Sequence, residues 1–263
     1  MEYIELFDFY RICDSHLHLS EVLERNLSVP QKATYSCISC CHSAEEYNRQ
    51  IDFIGSANFK VYTAFGIHPQ NPASENITFL ESLLEENKIH GIGEAGFDFY
   101  TEQFKSKTEE QKFVFEAQLE LAEKYCKPMI IHGRKCNDRF FYYAKELSRL
   151  PAVIFHSYMG TFAELESLLK KGINAYFTFG KQLLNGNKKA MECTKKIEIK
   201  RLLLETDSPY QTLKNEKNTL PSDIAKVYIQ AAILRNINPE NQQEMQSFTD
   251  RIYSNLEESL GIF

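Results

Sequence analysis

The chain has 263 residues, of which 43% are hydrophobic and 25% are charged, and its formal net charge is -6. This composition is typical of a globular protein, and the length suits one large core, so we expect a single domain over residues 1–263. The acidic balance argues against a protein drawn to nucleic acid or anionic membranes by its overall field, and no apolar run reaches the roughly 18 residues of a membrane span.

Short apolar runs alternate with longer amphipathic stretches, a pattern typical of βα units around a parallel sheet. Eight runs are predicted as strands, at residues 11–16, 34–40, 61–67, 89–94, 128–132, 152–156, 174–179 and 201–207. The stretches between them are predicted as helices, with Gly172 ending one and Ser222 capping the start of another. The pattern indicates an α/β protein of the (β/α)8 TIM-barrel type, with an open doubly wound sheet as the alternative.

Residues able to bind metal ions recur where the predicted strands end. They are His16, His18, His68, Glu94, His132, His156 and Asp207. The C-terminal rim of a (β/α)8 barrel carries the active site, so this distribution predicts a metal centre at that rim.

Side-chain alternation along strands groups these residues further. His16 and His18 project to the same side of the first strand, as does Asp14, and Glu205 shares a side with Asp207 on the eighth. Buried acids need a partner, so Asp14 and Glu205 are interpreted as support for the centre rather than as ligands.

Three further features are given no catalytic role. His42 follows the second strand, where it either edges the site or, as the favoured interpretation, lies on the surface. His90 starts the fourth strand, at the opposite rim, and is interpreted as structural. The cysteine cluster Cys37, Cys40 and Cys41 contains a CxxC without a second pair at zinc-site spacing. Seven cysteines, an odd number, together with an N-terminus that lacks a signal peptide, predict reduced thiols in the cytoplasm.

Several motifs together resemble the TatD family of metal-dependent deoxyribonucleases, a branch of the amidohydrolase-like barrels. They are Asp14-Ser15-His16-Leu17-His18-Leu19, Gly66-Ile67-His68-Pro69, Ile92-Gly93-Glu94-Ala95-Gly96-Phe97-Asp98, Gln111 with Phe115 and Gln118, His132-Gly133-Arg134, His156-Ser157-Tyr158-Met159-Gly160 and Glu205-Thr206-Asp207-Ser208-Pro209-Tyr210. The blocks cover about three quarters of the chain, and their order and spacing carry the resemblance.

The resemblance implies a metallo-dependent hydrolase barrel with two divalent ions, of magnesium, manganese or zinc. One ion would be held by His16, His18, Glu94 and Asp207. The second would be held by Glu94, His132 and His156. Glu94 and Asp207 are the expected catalytic residues, and His68 and Arg134 are the expected contacts to the substrate phosphate.

The implied activity is the hydrolysis of DNA phosphodiester bonds, in single strands or at ends, by water activated between two metal ions. Asp207 would orient that water or take its proton. Aromatic side chains of the rim loops, such as Phe97, Phe99, Tyr100 and Tyr158, offer stacking surfaces for bases, although packing is their more common role. No obligate protein partner is evident.

Three alternatives remain. A barrel hydrolase acting on a small amide, lactone or ester would use the same activated water. A non-catalytic metal-binding scaffold would not need a complete ligand set. A nucleic-acid-binding module without catalysis is disfavoured by the acidic charge.

Overall fold

The computed structural model describes residues 6–262, and its centre is a parallel sheet of eight strands. Each strand pairs in parallel with the next one along the chain, so the sheet order is the chain order. The strands are β1 (Ile12–Leu17), β2 (Tyr35–Cys41), β3 (Lys60–Phe65), β4 (Gly91–Asp98), β5 (Met129–Arg134), β6 (Val153–Phe155), β7 (Ala175–Phe179) and β8 (Leu202–Leu204).

Helices follow the strands and cover the outside of the sheet. Those within residues 6–262 are α1 (Leu6–Phe9), α2 (Leu19–Glu24), α3 (Ala44–Ile54), α4 (Asn76–Glu85), α5 (Glu102–Lys105), α6 (Thr108–Lys124), α7 (Asn137–Tyr142), α8 (Ala144–Leu147), α9 (Phe162–Lys170), α10 (Lys188–Lys196), α11 (Ile224–Leu234) and α12 (Gln242–Ser259). The (β/α)8 barrel predicted from the alternating pattern is therefore confirmed. No helix in this described range is both long and apolar enough to cross a membrane.

Helix α6 connects the core to the rim loops on either side of β4. Its Phe115 packs against Phe97 of β4 with ring centroids 4.9 Å apart. Two buried glutamines on the same helix form hydrogen bonds with the backbone at the rim. Gln118 bonds to the N–H and C=O of Ile67, and Gln111 bonds to the N–H and C=O of Asp98. Buried backbone groups need such partners, so α6 fixes where β3 and β4 release their rim residues.

The seam between β1 and β8 closes the barrel through hydrogen bonds beside the rim. The Asp207 amide donates to the His16 carbonyl oxygen at 2.9 Å. Asp14 is fully buried and accepts from the Thr206 amide at 2.9 Å and from the Thr206 hydroxyl at 2.6 Å. Burial raises the pKa of Asp14 well above its usual value, against the effect of these bonds from Thr206. Asp14 therefore supports the position of Asp207 rather than facing the centre itself.

Three local predictions were wrong. Strand β8 ends at Leu204 rather than at residue 207, so Glu205 and Asp207 follow the strand. Strand β4 continues to Asp98 instead of ending at Glu94, because its pairing with β5 shifts between Gly93 and Ala95. This irregularity leaves Glu94 as the extra residue of the strand. Ser222 does not cap a helix: it lies in a 3-10 turn, and a side-chain oxygen of Asp223 accepts from the Leu220 amide instead.

The end of helix α9 agrees with the prediction. Gly172 follows it with φ of 84°, in the left-handed region that glycine adopts without a steric penalty.

We predict that Thr206→Val lowers the free energy of unfolding by about 1–3 kcal/mol, because it removes a hydroxyl bonded to a buried carboxyl group. Urea denaturation measures the change. Thr78→Val is the matched control, since Thr78 is exposed on α4 and its substitution should shift the free energy of unfolding by less than about 0.5 kcal/mol. Equal stabilities of the two variants would contradict the role assigned to the seam.

Candidate metal centre

Glu94 lies at the centre of the barrel mouth and is only 2% exposed. Six of the seven histidines place a ring nitrogen 3.0–3.7 Å from one of its carboxylate oxygens. They are His16, His18, His42, His68, His132 and His156. The six imidazoles divide into two groups according to the oxygen that they face.

On the Oε2 side of Glu94 lie the histidines of the first strand and its end. His16 Nε2 and His18 Nε2 are 3.4 and 3.3 Å from Oε2 and 3.3 Å from each other. Asp207 brings its Oδ1 to 3.5 Å from His16 Nε2 and 3.3 Å from His18 Nε2. The four residues that the resemblance assigns to one ion are thus brought together.

On the Oε1 side lie the histidines of the fifth and sixth strands. His156 Nε2 is 3.0 Å and His132 Nδ1 is 3.2 Å from Glu94 Oε1. The three residues that the resemblance assigns to the second ion are also brought together, and one carboxylate faces both groups.

The donor spacing fits divalent ions. Two donors bound to one ion by bonds of about 2.0–2.1 Å at near-tetrahedral angles are separated by about 3.4 Å. The measured separations on the Oε2 side, 3.3–3.5 Å, agree with this value. Buried imidazole nitrogens and carboxylate oxygens are also the donor types that transition ions prefer.

Carboxylates behind the histidines orient their rings. Asp98 Oδ2 is 3.1 Å from His132 Nε2, and Glu205 Oε2 is 3.4 Å from His156 Nδ1. Such partners leave the opposite ring nitrogen of each histidine to face Glu94. Glu205 lies where the sequence analysis predicted. The supporting role of Asp98 was not predicted. Asp98 ends the glycine-rich motif of β4, and its position directly after an apolar residue is the sequence signal that could have indicated this role.

Two more histidines, His68 and His42, border the centre. A backbone amide donates to Nδ1 of His68, whereas Nδ1 of His42 faces a backbone carbonyl. His68 Nδ1 accepts a hydrogen bond from the Gln70 amide at 3.2 Å, so in the neutral ring Nε2 carries the proton. That Nε2 faces the centre, 3.7 Å from Glu94 Oε1. The prediction that His42 is a surface residue was wrong, because its side chain is only 19% exposed and its Nε2 lies 3.4 Å from Glu94 Oε2.

The remaining histidine lies where the sequence placed it. His90 precedes β4, and its Nδ1 accepts from the Thr63 amide at 3.1 Å. This position is at the opposite end of the strand from the centre, in agreement with a structural role.

The charges of the centre are strongly coupled. Burial alone raises the pKa of Glu94, but the surrounding imidazoles, His156 first among them, outweigh it and hold that pKa well below the usual value. Burial lowers the pKa of His18, but Asp207 and Glu94 raise it to about 9. The pKa of His156 is also well above its usual value, because Glu205 and Glu94 outweigh the effect of burial. Protons therefore occupy imidazoles that face Glu94.

Above the carboxylate lies a cavity of about 570 Å³. Arg134 lines it from the exposed end of β5, and its guanidinium carbon lies 4.0 Å from the centroid of the Tyr100 ring. None of the ion pairs within residues 6–262 uses Arg134. Its guanidinium is therefore available to an anion that enters the cavity.

Of the four aromatic residues considered for stacking, only Tyr100 is well exposed, at 52%. Phe97 and Tyr158 are buried, where Phe97 packs against Phe115 and Tyr158 against Phe177, and Phe99 is half-buried. Packing is thus the role of two of the four.

Amide side chains around the cavity were missed by the sequence analysis. Gln70 donates to Asp98 Oδ2 at 2.8 Å, and Gln211 donates to Asp207 Oδ2 at 3.0 Å. Gln182 lines the cavity at 6% exposure, and its Nε2 has no hydrogen-bond partner within the described range 6–262. These residues lie on loops or short turns and carry no periodic signal.

Comparisons with known proteins agree with this architecture. A family model described as TatD related DNase matches residues 13–254. A curated relative from Erwinia billingiae, named 3'-5' ssDNA/RNA exonuclease TatD, is 33% identical over 165 residues, which are 61% of this chain and 62% of that protein. The chain thus spans less than two thirds of that relative. An uncharacterized metal-dependent hydrolase, YabD from Bacillus subtilis, is 31% identical over 200 residues, 73% of this chain and 76% of that protein.

A solved structure shows the same fold. A TatD homolog from Escherichia coli k12 matches with a TM-score of 0.81 at 22% identity, over 97% of this chain and 100% of that one.

We predict that a divalent ion binding to the metal-free protein releases protons at about pH 7.5, because a ligand histidine must be neutral and the pKa of His18 is about 9. Affinity should therefore fall as the pH is lowered from about 9 towards 6. Calorimetric titration with Mn²⁺ in two buffers of different ionisation enthalpy measures the proton release. Identical heats in the two buffers would contradict the coupling.

Proposed function

The chain belongs to the TatD-related DNase family, and we propose that it is a metal-dependent hydrolase that cleaves phosphodiester bonds at the ends of single-stranded DNA. Residues 1–263 act in this proposal as one catalytic domain. The relative from Erwinia billingiae is named for exonuclease action on single-stranded DNA and RNA, which agrees with such a substrate.

The observation that carries the proposal is the position of the two oxygens of Glu94. Each faces its own group of imidazoles, with Asp207 completing one group, so one carboxylate would serve both ions. One ion would be held by His16, His18, Glu94 and Asp207. The other would be held by Glu94, His132 and His156. Two bound divalent ions supply an acidified water and neutralise charge on the phosphate oxygens.

Asp207 is suited to accept the proton of the attacking water. Burial raises its pKa, but the bond with His18 and the charges of His156 and His16 lower it below the usual value, so the carboxylate is ionised. Gln211 holds its Oδ2 by a hydrogen bond of 3.0 Å, which fixes the carboxylate plane. This residue can therefore orient the water and take its proton.

Arg134 and His68 are suited to bind the scissile phosphate. The guanidinium of Arg134 presents a planar set of donors that matches two phosphate oxygens. His68 presents Nε2–H towards the centre, because its Nδ1 is occupied by the Gln70 amide. Both residues thus act as donors, and the exposed ring of Tyr100 supports the guanidinium of Arg134 through a cation–π contact.

A small-molecule ester, lactone or amide remains the alternative substrate, since a cavity of about 570 Å³ also suits a compact ligand. The experiment that separates the two is metal-stripped protein resupplied with magnesium, manganese or zinc and assayed on end-labelled single-stranded DNA beside a panel of small esters. Faster turnover of the esters than of DNA would overturn the nuclease proposal.

We propose the cytoplasm as the location and no obligate protein partner. All seven cysteines are free thiols, and all but Cys126 are buried, which suits a reducing compartment.

We predict that Glu94→Gln lowers the rate of DNA hydrolysis by more than about a hundredfold, because an amide cannot bridge two cations as a carboxylate does. Release of labelled nucleotides from single-stranded DNA measures the rate, and circular dichroism verifies the fold. Glu240→Gln, an exposed site, is the matched control and should retain the activity. Undiminished hydrolysis in Glu94→Gln would refute the bridging role.

We predict that Arg134→Ala raises KM for single-stranded DNA about tenfold or more with a smaller effect on kcat, since it removes a charge-assisted contact to the bound phosphate. Steady-state kinetics measure both constants. Arg149→Ala is the control, because Arg149 pairs with Glu123 on the surface. A KM equal to that of the unsubstituted protein would argue against the phosphate contact.

A further inference from the structure

His42 is held with its ring at the centre by backbone contacts on both sides of the residue. Its amide donates to Glu46 Oε2 at 2.7 Å, and its carbonyl oxygen accepts from Asn76 Nδ2 at 3.2 Å. Helices α3 and α4, which carry these two partners, therefore position the residue after β2. The ring does not reach the centre by chance rotation of an exposed side chain.

A backbone carbonyl sets the tautomer of the neutral His42 ring. Its Nδ1 lies 3.0 Å from the carbonyl oxygen of Gly66, which can only accept a hydrogen bond. In the neutral ring Nδ1 therefore carries the proton, and Nε2 presents a lone pair. A histidine that binds a metal ion through one nitrogen commonly donates from the other to such a carbonyl.

The Nε2 lone pair of the neutral His42 ring accepts no hydrogen bond within residues 6–262. Nε2 is buried from solvent and has no hydrogen-bond partner there. It lies 3.4 Å from Glu94 Oε2, the same separation as that between His16 Nε2 and Glu94 Oε2. His42, His18 and Glu94 together form a group whose ligand atoms are within 4.8 Å of one another.

Gly66 couples His42 to the backbone of Glu94. A methyl group at Gly66 would lie 2.6–2.8 Å from backbone atoms of Gly93 and Glu94, so only glycine fits against that strand. The carbonyl that orients His42 is thus held in contact with the strand that carries the bridging carboxylate. The packing of Gly66 against this strand therefore determines the separation between His42 Nε2 and Glu94 Oε2.

We propose that His42 is a further metal ligand, which binds through Nε2 the ion held by Glu94 Oε2 and His18. This inference rests on the metal centre of the proposed function. Carboxylate oxygens suit magnesium and manganese, whereas imidazole suits zinc and similar transition ions. A third imidazole on the Oε2 side therefore makes this position selective for a zinc-class ion.

His68 provides the internal comparison. It also forms a group of possible ligands, with Glu94 and His132, and is similarly buried. A backbone amide donates to its Nδ1, however, so in the neutral ring Nε2 carries the proton and cannot bind a cation in that form. The two histidines differ in the backbone group that each contacts. Substitution of His42 should therefore affect metal affinity, and substitution of His68 should not.

The test is a competition titration of the metal-stripped full chain with Zn²⁺ and, separately, with Mn²⁺ against a chromophoric chelator, without nucleic acid. We expect His42→Ala to weaken Zn²⁺ binding by about tenfold or more and Mn²⁺ binding by less than about threefold. His68→Ala and His90→Ala should leave both affinities within about twofold of the unsubstituted protein. X-ray absorption of the zinc-loaded proteins should count one imidazole fewer in His42→Ala alone.

Unchanged Zn²⁺ affinity in His42→Ala would overturn the proposal, as would an equal loss in His68→Ala. An equal loss of Zn²⁺ and Mn²⁺ affinity in His42→Ala would overturn the selectivity. If circular dichroism shows that His42→Ala is unfolded, His42→Gln supplies the same readout with a side chain of similar size. Because the titration uses no DNA, a failure of the nuclease assay would leave this result standing, and the reverse also holds.

Discussion

The structure depends on one constraint, the burial of the Glu94 carboxylate among imidazoles. An ionised carboxylate removed from water costs several kcal/mol unless opposite charges and hydrogen-bond donors surround it. Glu94 is 2% exposed, and six histidines from five segments of the chain supply those partners. The same arrangement that makes the buried anion tolerable to the fold also makes the barrel mouth a binding site for cations. Fold and site are therefore not separable at this position.

Hydrogen bonds on two sides of the centre hold its residues in position. The contact between Asp14 and Thr206 joins the first strand to the segment that follows the last one, next to Asp207. The φ of Asp207, 56°, lies in a left-handed conformation that costs a non-glycine residue about 1–2 kcal/mol. The Asp207 amide and the His16 carbonyl are bonded across the same seam, which stabilises that conformation. On the other side, α6 fixes the rim after β3 and β4 through two buried glutamines. The residues of the centre thus lie in the strands or within three residues of a strand end.

The strand ends were predictable because parallel strands release their carboxyl ends at one rim, so histidines that follow separate apolar runs must meet there. The irregular pairing at Glu94 was not predictable, because it depends on the register between β4 and β5, a tertiary contact without a local signal. His42 lies at a strand end as the proposed ligand histidines do, but its inward direction is set by Gly66, which directly follows β3. Gln211 is a loop amide without any periodic pattern, so only the folded chain shows that it holds Asp207.

The two oxygens of Glu94 have chemically different surroundings. This difference favours one orientation of a bound phosphodiester in the proposed reaction. On the Oε2 side lies Asp207, an ionised carboxylate that can accept a proton. On the Oε1 side lies the Nε2–H of His68, and Arg134, at the end of the strand that carries His132, lines the same cavity, so both offer donors to phosphate oxygens. A phosphodiester bound between the two sides would meet a proton acceptor where water attacks and hydrogen-bond donors where negative charge develops. The opposite orientation would set Asp207 against the anionic oxygens and is disfavoured by charge repulsion.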